Sequence, residues 1–168
     1  LPPGRTPVQT RVLQPKERER AYAFINAQID KGRQAFVICP LVEDSEDIDA
    51  RSAVSEYERL QKTAFRGRRL GLLHGRMKAA EKDAVMESFY AGELDVLVST
   101  TVIEVGIDVP NASVIMVENA NRFGLAQLHQ LRGRVGRGEH ESTCLLVSDQ
   151  PFLDADDRLA AMERTSDG

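Results

Sequence analysis

The chain has 168 residues, 42% of them apolar and 29% charged, a mixture that fits one soluble globular domain with a core of its own. No apolar run has the length of a membrane span and no signal-peptide pattern opens the chain, so the expected setting is cytoplasmic and away from membranes. The formal charge of −4 argues against a domain that holds nucleic acid alone, because such domains are commonly basic; any DNA contact is expected to be local, sparse and shared with other domains.

Leu1 stands where a start methionine would, which points to a piece of a longer protein. The opening LPPGRTPVQTRVL is proline-rich and reads as a linker leading into a short edge strand, so 1–15 is set apart from a domain over 16–168. From Lys16 to about Lys31, Ala21, Phe24, Ile25 and Gln28 recur near helical spacing, and Gly32 offers a stop. AFVICP, Ala35–Pro40, reads as a buried strand. The acidic EDSEDIDARS reads as a loop entering a helix that continues through Phe65.

The order then repeats. RRLGLLHG is a strand ending at His74 and Gly75, and a helix covers Lys78 to Tyr90. DVLVST and SVIMVEN are strands, Gly124 to Arg134 is helical, STCLLVSD is the last strand, and a helix follows Pro151. Strands alternating with helices of this length predict an α/β fold with a mostly parallel sheet covered on both faces, three layers in all. The unbroken apolar runs of the strands are what burial on both sides requires. Cys39 and Cys144 sit in such runs and read as buried thiols in a reducing compartment. Two cysteines are too few for a zinc site, and His74, His129 and His140 have no metal-ligand spacing.

Ligands of open parallel sheets bind beyond the carboxyl ends of the strands. The segments after four strands, PLVEDSE, HGRM, TTVIEVGIDVP and NANRFG, are polar or carry glycine, so one rim is expected to be the working edge. Thr100, Asp108, Arg134 and Arg137 are expected together along it.

QLHQLRGRVGRG, Gln127 to Gly138, is the sharpest signal. Gln130, Arg134 and Arg137 fall at i, i+4 and i+7, one helical face, where two guanidinium groups and an amide form a fork for phosphate oxygens. Gly133 and Gly136 would each cost about 1 kcal/mol inside a helix, a cost that makes sense if something approaches the backbone closely. The plainer alternative is a solvated basic face at a helix end; the glycines and the glutamine together favour phosphate.

In VLVSTTVIEVGIDVPNA a strand ends in Thr100 and Thr101, whose amides and hydroxyls suit a phosphodiester. Gly106 permits a turn, and the carboxylate of Asp108 suits a ribose hydroxyl. In LLHGRM, Gly75 permits close approach and Arg76 suits phosphate, while His74 reads as a strand-end core histidine. No GxxxxGK[ST] loop is present and no strand ends in an Asp-Glu pair for magnesium, so a nucleotide served by these arginines has to be held by another domain.

Gln130–Arg137, QLRGRVGR, resembles motif VI of superfamily 2 helicases, Q-x-x-G-R-x-G-R. Ser99–Pro110 resembles motif V, Phe36–Glu43 resembles motif IV, and LHGRM resembles the motif that follows it. Within the superfamily the wording is similar to the RecG-like branched-DNA helicases over nearly the whole chain. That resemblance implies a RecA-like second motor domain whose Arg134 and Arg137 are arginine fingers for ATP held with Mg2+ by the first motor domain. Gln130 would couple that site to the DNA side. Gly106 and Asp108 would line the nucleotide cleft, and Thr100, Thr101 and Arg76 would touch DNA. The implied partners are duplex and branched DNA, stalled forks and Holliday junctions among them, with the first motor domain and a wedge domain of the same protein. A transcription-repair coupling factor, whose motor is very similar, and a silent nucleotide-sensing scaffold are the alternatives. The missing GxGxxG after the first strand argues against a Rossmann-type enzyme.

Overall fold

A computed structural model describes residues 6–40, 46–100, 108–149 and 157–165. The apolar runs are strands: β1 (Val8–Leu13), β2 (Gln34–Ile38), β3 (Leu70–Leu73), β4 (Val96–Ser99), β5 (Ala112–Val117) and β6 (Ser142–Val147). Between and after them lie α1 (Arg18–Asp30), α2 (Glu46–Lys62), α3 (Ala79–Tyr90), α4 (Leu125–Arg132) and α5 (Asp157–Arg164). Among the described residues the six strands form one sheet in the order β1-β6-β5-β2-β4-β3, and every pairing is parallel.

Side chains alternate across a strand, and here both faces are buried. Phe36, Ile38, Leu97, Ile115 and Val117 face a core closed by Met86 and Phe89 of α3, Leu128 and Leu131 of α4, and Leu159 and Met162 of α5. Ala35, Val37, Val96, Val98, Val114 and Met116 face a second core closed by Ala21, Tyr22, Ile25 and Ile29 of α1 and Leu60 of α2. The result is the three-layer α/β/α sandwich. Edge-on aromatic pairs tie each layer, Phe36 with Phe89 at 5.1 Å and Tyr22 with Phe65 at 5.5 Å between ring centroids.

Two local expectations change. The buried stripe of α1 is Ala21, Tyr22, Ile25 and Ile29, and Phe24 lies on the exposed rim. The helix expected over Gly124–Arg134 stops at Arg132. Gly133 ends it and Gly136 takes φ +78°, a left-handed conformation that breaks the register. No helix among the described residues is long and apolar enough to cross a membrane.

All-parallel strands give the sheet one carboxyl edge and one amino edge. Each crossover helix starts near the first and ends near the second, so residues after a strand and residues after a helix stand at opposite edges.

Candidate functional site

The expected single working rim does not form. Thr100 follows β4 at the carboxyl edge, where its N–H donates to the carbonyl of Leu73, the last residue of β3, at 3.2 Å. The arginine turn follows α4 and reaches the amino edge. There the Gly136 carbonyl accepts from Thr6 N–H at 3.0 Å, just ahead of β1, and Gly136 N–H donates to Oγ of Ser142, the first residue of β6, at 3.0 Å. A single rim would require both groups to follow strands, whereas α4 carries the chain across the sheet before the arginine turn begins.

At the amino edge the last turn of α4 tightens. Gly133 N–H still reaches the His129 carbonyl at 3.0 Å, but Arg134 N–H donates to Leu131 and Val135 N–H to Arg132, each three residues back, at 3.0 and 3.3 Å. Arg134 and Arg137 therefore stand on a turn, not on the helical face they were expected to share with Gln130, which is exposed on α4. What presses on the glycine backbone is this chain itself. A Cβ on Gly136 would sit 2.7 Å from Val8 Cγ2 and 2.9 Å from the Thr6 carbonyl oxygen.

Arg137 is held from two sides. Its Nε donates to the Gly133 carbonyl at 2.7 Å, and its Nη1 lies 3.2 Å from Asp108 Oδ1 and 3.3 Å from Oδ2. Asp108 and Pro110 share a recess with Glu87 and Tyr90 at the end of α3. Thus the structure brings Asp108, Arg134 and Arg137 to the amino edge, not the carboxyl edge expected for them, and leaves Thr100 at the other. Gly106 and Thr101 lie outside the described residues.

At the carboxyl edge Thr100 is 4% exposed and its amide is already engaged, so the expectation that it offers amide and hydroxyl to a phosphodiester meets a closed surface. Arg76 is exposed at that edge. Its N–H donates to His74 Nδ1 at 3.1 Å, and its Nε donates to Asp47 Oδ1 of α2 at 2.6 Å. Nearby a cleft of about 740 Å³ opens past the ends of β2 and β5, between Tyr22, Cys39, Arg59, Glu118 and Asn119. Two of its arginines are engaged within the chain. Buried Glu118 takes a two-nitrogen grip from Arg18 at 2.9–3.1 Å, and Arg59 donates to the Tyr22 hydroxyl at 3.0 Å. The Glu118 hydrogen bond is the main cause that raises the Arg18 pKa. Burial pushes the Tyr22 phenol up to about 12 against the opposing pull of Arg59.

Sequence reasoning missed Arg132. It sits between Gln130 and Arg134 and resembles one more basic residue, yet it is fully buried. Nor does the sequence reveal the Arg18–Glu118 pair, because the partners are 100 residues apart.

Two guanidinium groups and a carboxylate at one sheet edge can meet phosphate oxygens and a hydroxyl. Among the described residues no group of three or more His, Cys, Asp or Glu could hold a metal ion.

Comparison with known proteins gives a consistent result. The helicase conserved C-terminal domain matches residues 16–139. The chain is 52% identical to the ATP-dependent DNA helicase RecG of Synechocystis sp., over 100% of this chain and 20% of that protein. It is similar to the structure of RecG bound to a three-way DNA junction, with 48% identity and a TM-score of 0.83, over 100% of this chain and 22% of that one. Domain 2 of the DEAD-box helicase Mss116p bound to an RNA duplex has the same fold at 20% identity and a TM-score of 0.69, over 86% of this chain and 56% of that one. The chain spans about a fifth of the length of the RecG proteins it matches.

Proposed function

Because the chain belongs to the helicase conserved C-terminal domain family, we propose that it is the second RecA-like motor domain of an ATP-dependent DNA helicase that remodels branched DNA. The observation that carries this reading is the placement of Asp108, Arg134 and Arg137 on one sheet edge with Arg137 pre-aimed by Asp108. The likeness to RecG over the whole chain favours branched DNA over transcription-repair coupling.

In this reading the amino edge faces ATP and the carboxyl edge faces DNA. ATP supplies the phosphoryl group that is transferred to water, and the first motor domain holds it together with Mg2+. Arg134 and Arg137 neutralise charge that develops on the phosphoryl oxygens, the task of an arginine finger. Asp108, freed in part from Arg137, accepts from a ribose hydroxyl. Gln130 links this edge to the DNA side. Arg76 meets DNA phosphate once Asp47 yields it, and Thr100 lies at the same edge. Splitting the two tasks between two edges lets one rigid sheet carry a displacement from nucleotide to DNA.

The direct test compares phosphate release by this chain alone and by the longer protein that contains it, each with and without forked DNA. The chain alone is expected to release none, and the longer protein to release phosphate that DNA stimulates. Turnover by the chain alone, in a contaminant-free preparation, contradicts the reading.

A further inference from the structure

The buried face of α4 contains Leu128, Leu131 and, fully enclosed, Arg132. A guanidinium group in a protein core has to be matched by acceptors, and the acceptors here come from three places. Nη1 lies 3.1 Å from Thr10 Oγ1 in β1, 2.9 Å from the Met162 carbonyl and 2.9 Å from the Thr165 carbonyl. Nη2 lies 3.3 Å from His129 Nδ1, one turn back on α4.

Met162 and Thr165 bracket the end of α5, where the carbonyls carry the negative end of the dipole and the Met162 carbonyl also accepts from Thr165 N–H at 3.3 Å. One planar cation therefore fastens the end of α5 and the middle of β1 to the end of α4. That same helix end sets the arginine turn, because Val135 N–H donates to the carbonyl of Arg132 itself and Arg134 N–H to that of Leu131. The far side of the turn is fixed by Thr6 and Ser142 through Gly136. The turn is thus anchored at both ends, and Arg132 is the anchor on the helix side.

We propose that Arg132 is a positioning residue for the reaction: it sets where Arg134 stands, and acts on turnover only through Arg134. This rests on the reading of Arg134 as an arginine finger. A leucine or methionine would fill the volume but take the guanidinium donor away from Thr10 and from the Met162 and Thr165 carbonyls. A lysine would keep the charge, but its single nitrogen on a shorter stem could not serve the acceptors in β1 and α5 and His129 on α4 together, as the two nitrogens of the fork do. A displacement of about 1 Å at a catalytic group can lower a rate by about a hundredfold.

The test uses the longer protein with saturating forked DNA and compares Arg132→Lys, Arg134→Ala and the double variant for kcat and KM for ATP, below their melting temperatures. Thr10→Val, which removes one acceptor while keeping shape, covers the case in which Arg132→Lys does not fold, again alone and with Arg134→Ala. Arg132→Lys is expected to lower kcat by about tenfold to a hundredfold with KM nearly unchanged. In the Arg134→Ala background the same substitution, and Thr10→Val likewise, is expected to lower kcat no further. Losses that multiply in the double variant overturn the positioning role while leaving the finger intact. So does a variant whose melting temperature falls while kcat holds. Normal turnover in Arg134→Ala overturns the finger reading and the proposal with it.

Discussion

Arg137 meets Asp108 across 29 positions of sequence, Nη1 to Oδ1 at 3.2 Å, with the Gly133 carbonyl holding the same guanidinium at Nε. The pair joins the turn after α4 to the segment leading into β5. It leaves Arg137 partly exposed and aimed along the amino edge.

Asp108→Asn keeps the shape and removes the charge. In the longer protein it is expected to lower ATP turnover, because Arg137 loses its guide. The fold should barely notice, since a solvent-facing ion pair contributes about 0–1 kcal/mol. Steady-state ATPase beside a thermal melt checks both halves. Wild-type turnover would separate Asp108 from the nucleotide-facing group.

Two glycines have similar backbone angles and different surroundings, which isolates the effect of space. Gly32 has φ +88° and open space within 4 Å of where a Cβ would stand, whereas Gly136 has φ +78° with Val8 Cγ2 at 2.7 Å from that position. Gly32→Ala is expected to cost about 1 kcal/mol from the left-handed conformation alone. Gly136→Ala adds a backbone clash and is expected to cost roughly 3 kcal/mol. Urea unfolding of the chain measures both, and equal losses would mean that the Thr6–Gly136 contact is not formed.

Burial pushes the thiols of Cys39 and Cys144 from 9.0 up to about 12. A thiol of this kind stays protonated in the fold, and its contribution is fully present below pH 9. Between pH 9 and about 12 the unfolded chain ionises first, so stability falls as pH rises. A thiol reagent at pH 8 is expected to label neither cysteine until denaturant is added. Rapid labelling of the folded chain would contradict the buried placement.

The strands and helices are legible in the sequence because each apolar run has one period and the runs alternate. The end of α4 is not. The spacing of Gln130, Arg134 and Arg137 fits a helix, and only the left-handed Gly136, pressed by Thr6 and Val8, shows that the helix has already ended. The residue types of the group proposed to face the nucleotide are legible, but the edge is not, because it depends on which side of the sheet a crossover delivers the chain. Arg132 is illegible for another reason. Three of its four partners are 122, 30 and 33 residues away, and nothing local separates a buried arginine from its exposed neighbours.

DNA binding by the chain alone is expected to be weak, on the order of 10⁻⁴ to 10⁻⁶ M, and steeply salt-dependent. The net charge of −4 opposes it, and Arg76 is already paired with Asp47. Asp47→Ala is expected to strengthen binding to forked DNA at low salt, because it removes a negative charge that competes for that cation. Titration by fluorescence anisotropy at two salt concentrations checks this; tight, junction-selective binding by the unaltered chain would show that recognition resides here.

The most direct measurement sets ATP turnover against ATP affinity in the longer protein for Arg134→Ala and Arg137→Ala. An arginine finger acts on charge that develops in the transition state, so turnover is expected to fall by roughly 10³–10⁵ while affinity changes little. Arg134→Lys and Arg137→Lys are expected to rescue poorly, since lysine lacks the planar fork. Turnover within a few-fold of the unaltered protein, or turnover and affinity falling together with the melting temperature, would contradict the assignment of the amino edge as the nucleotide face.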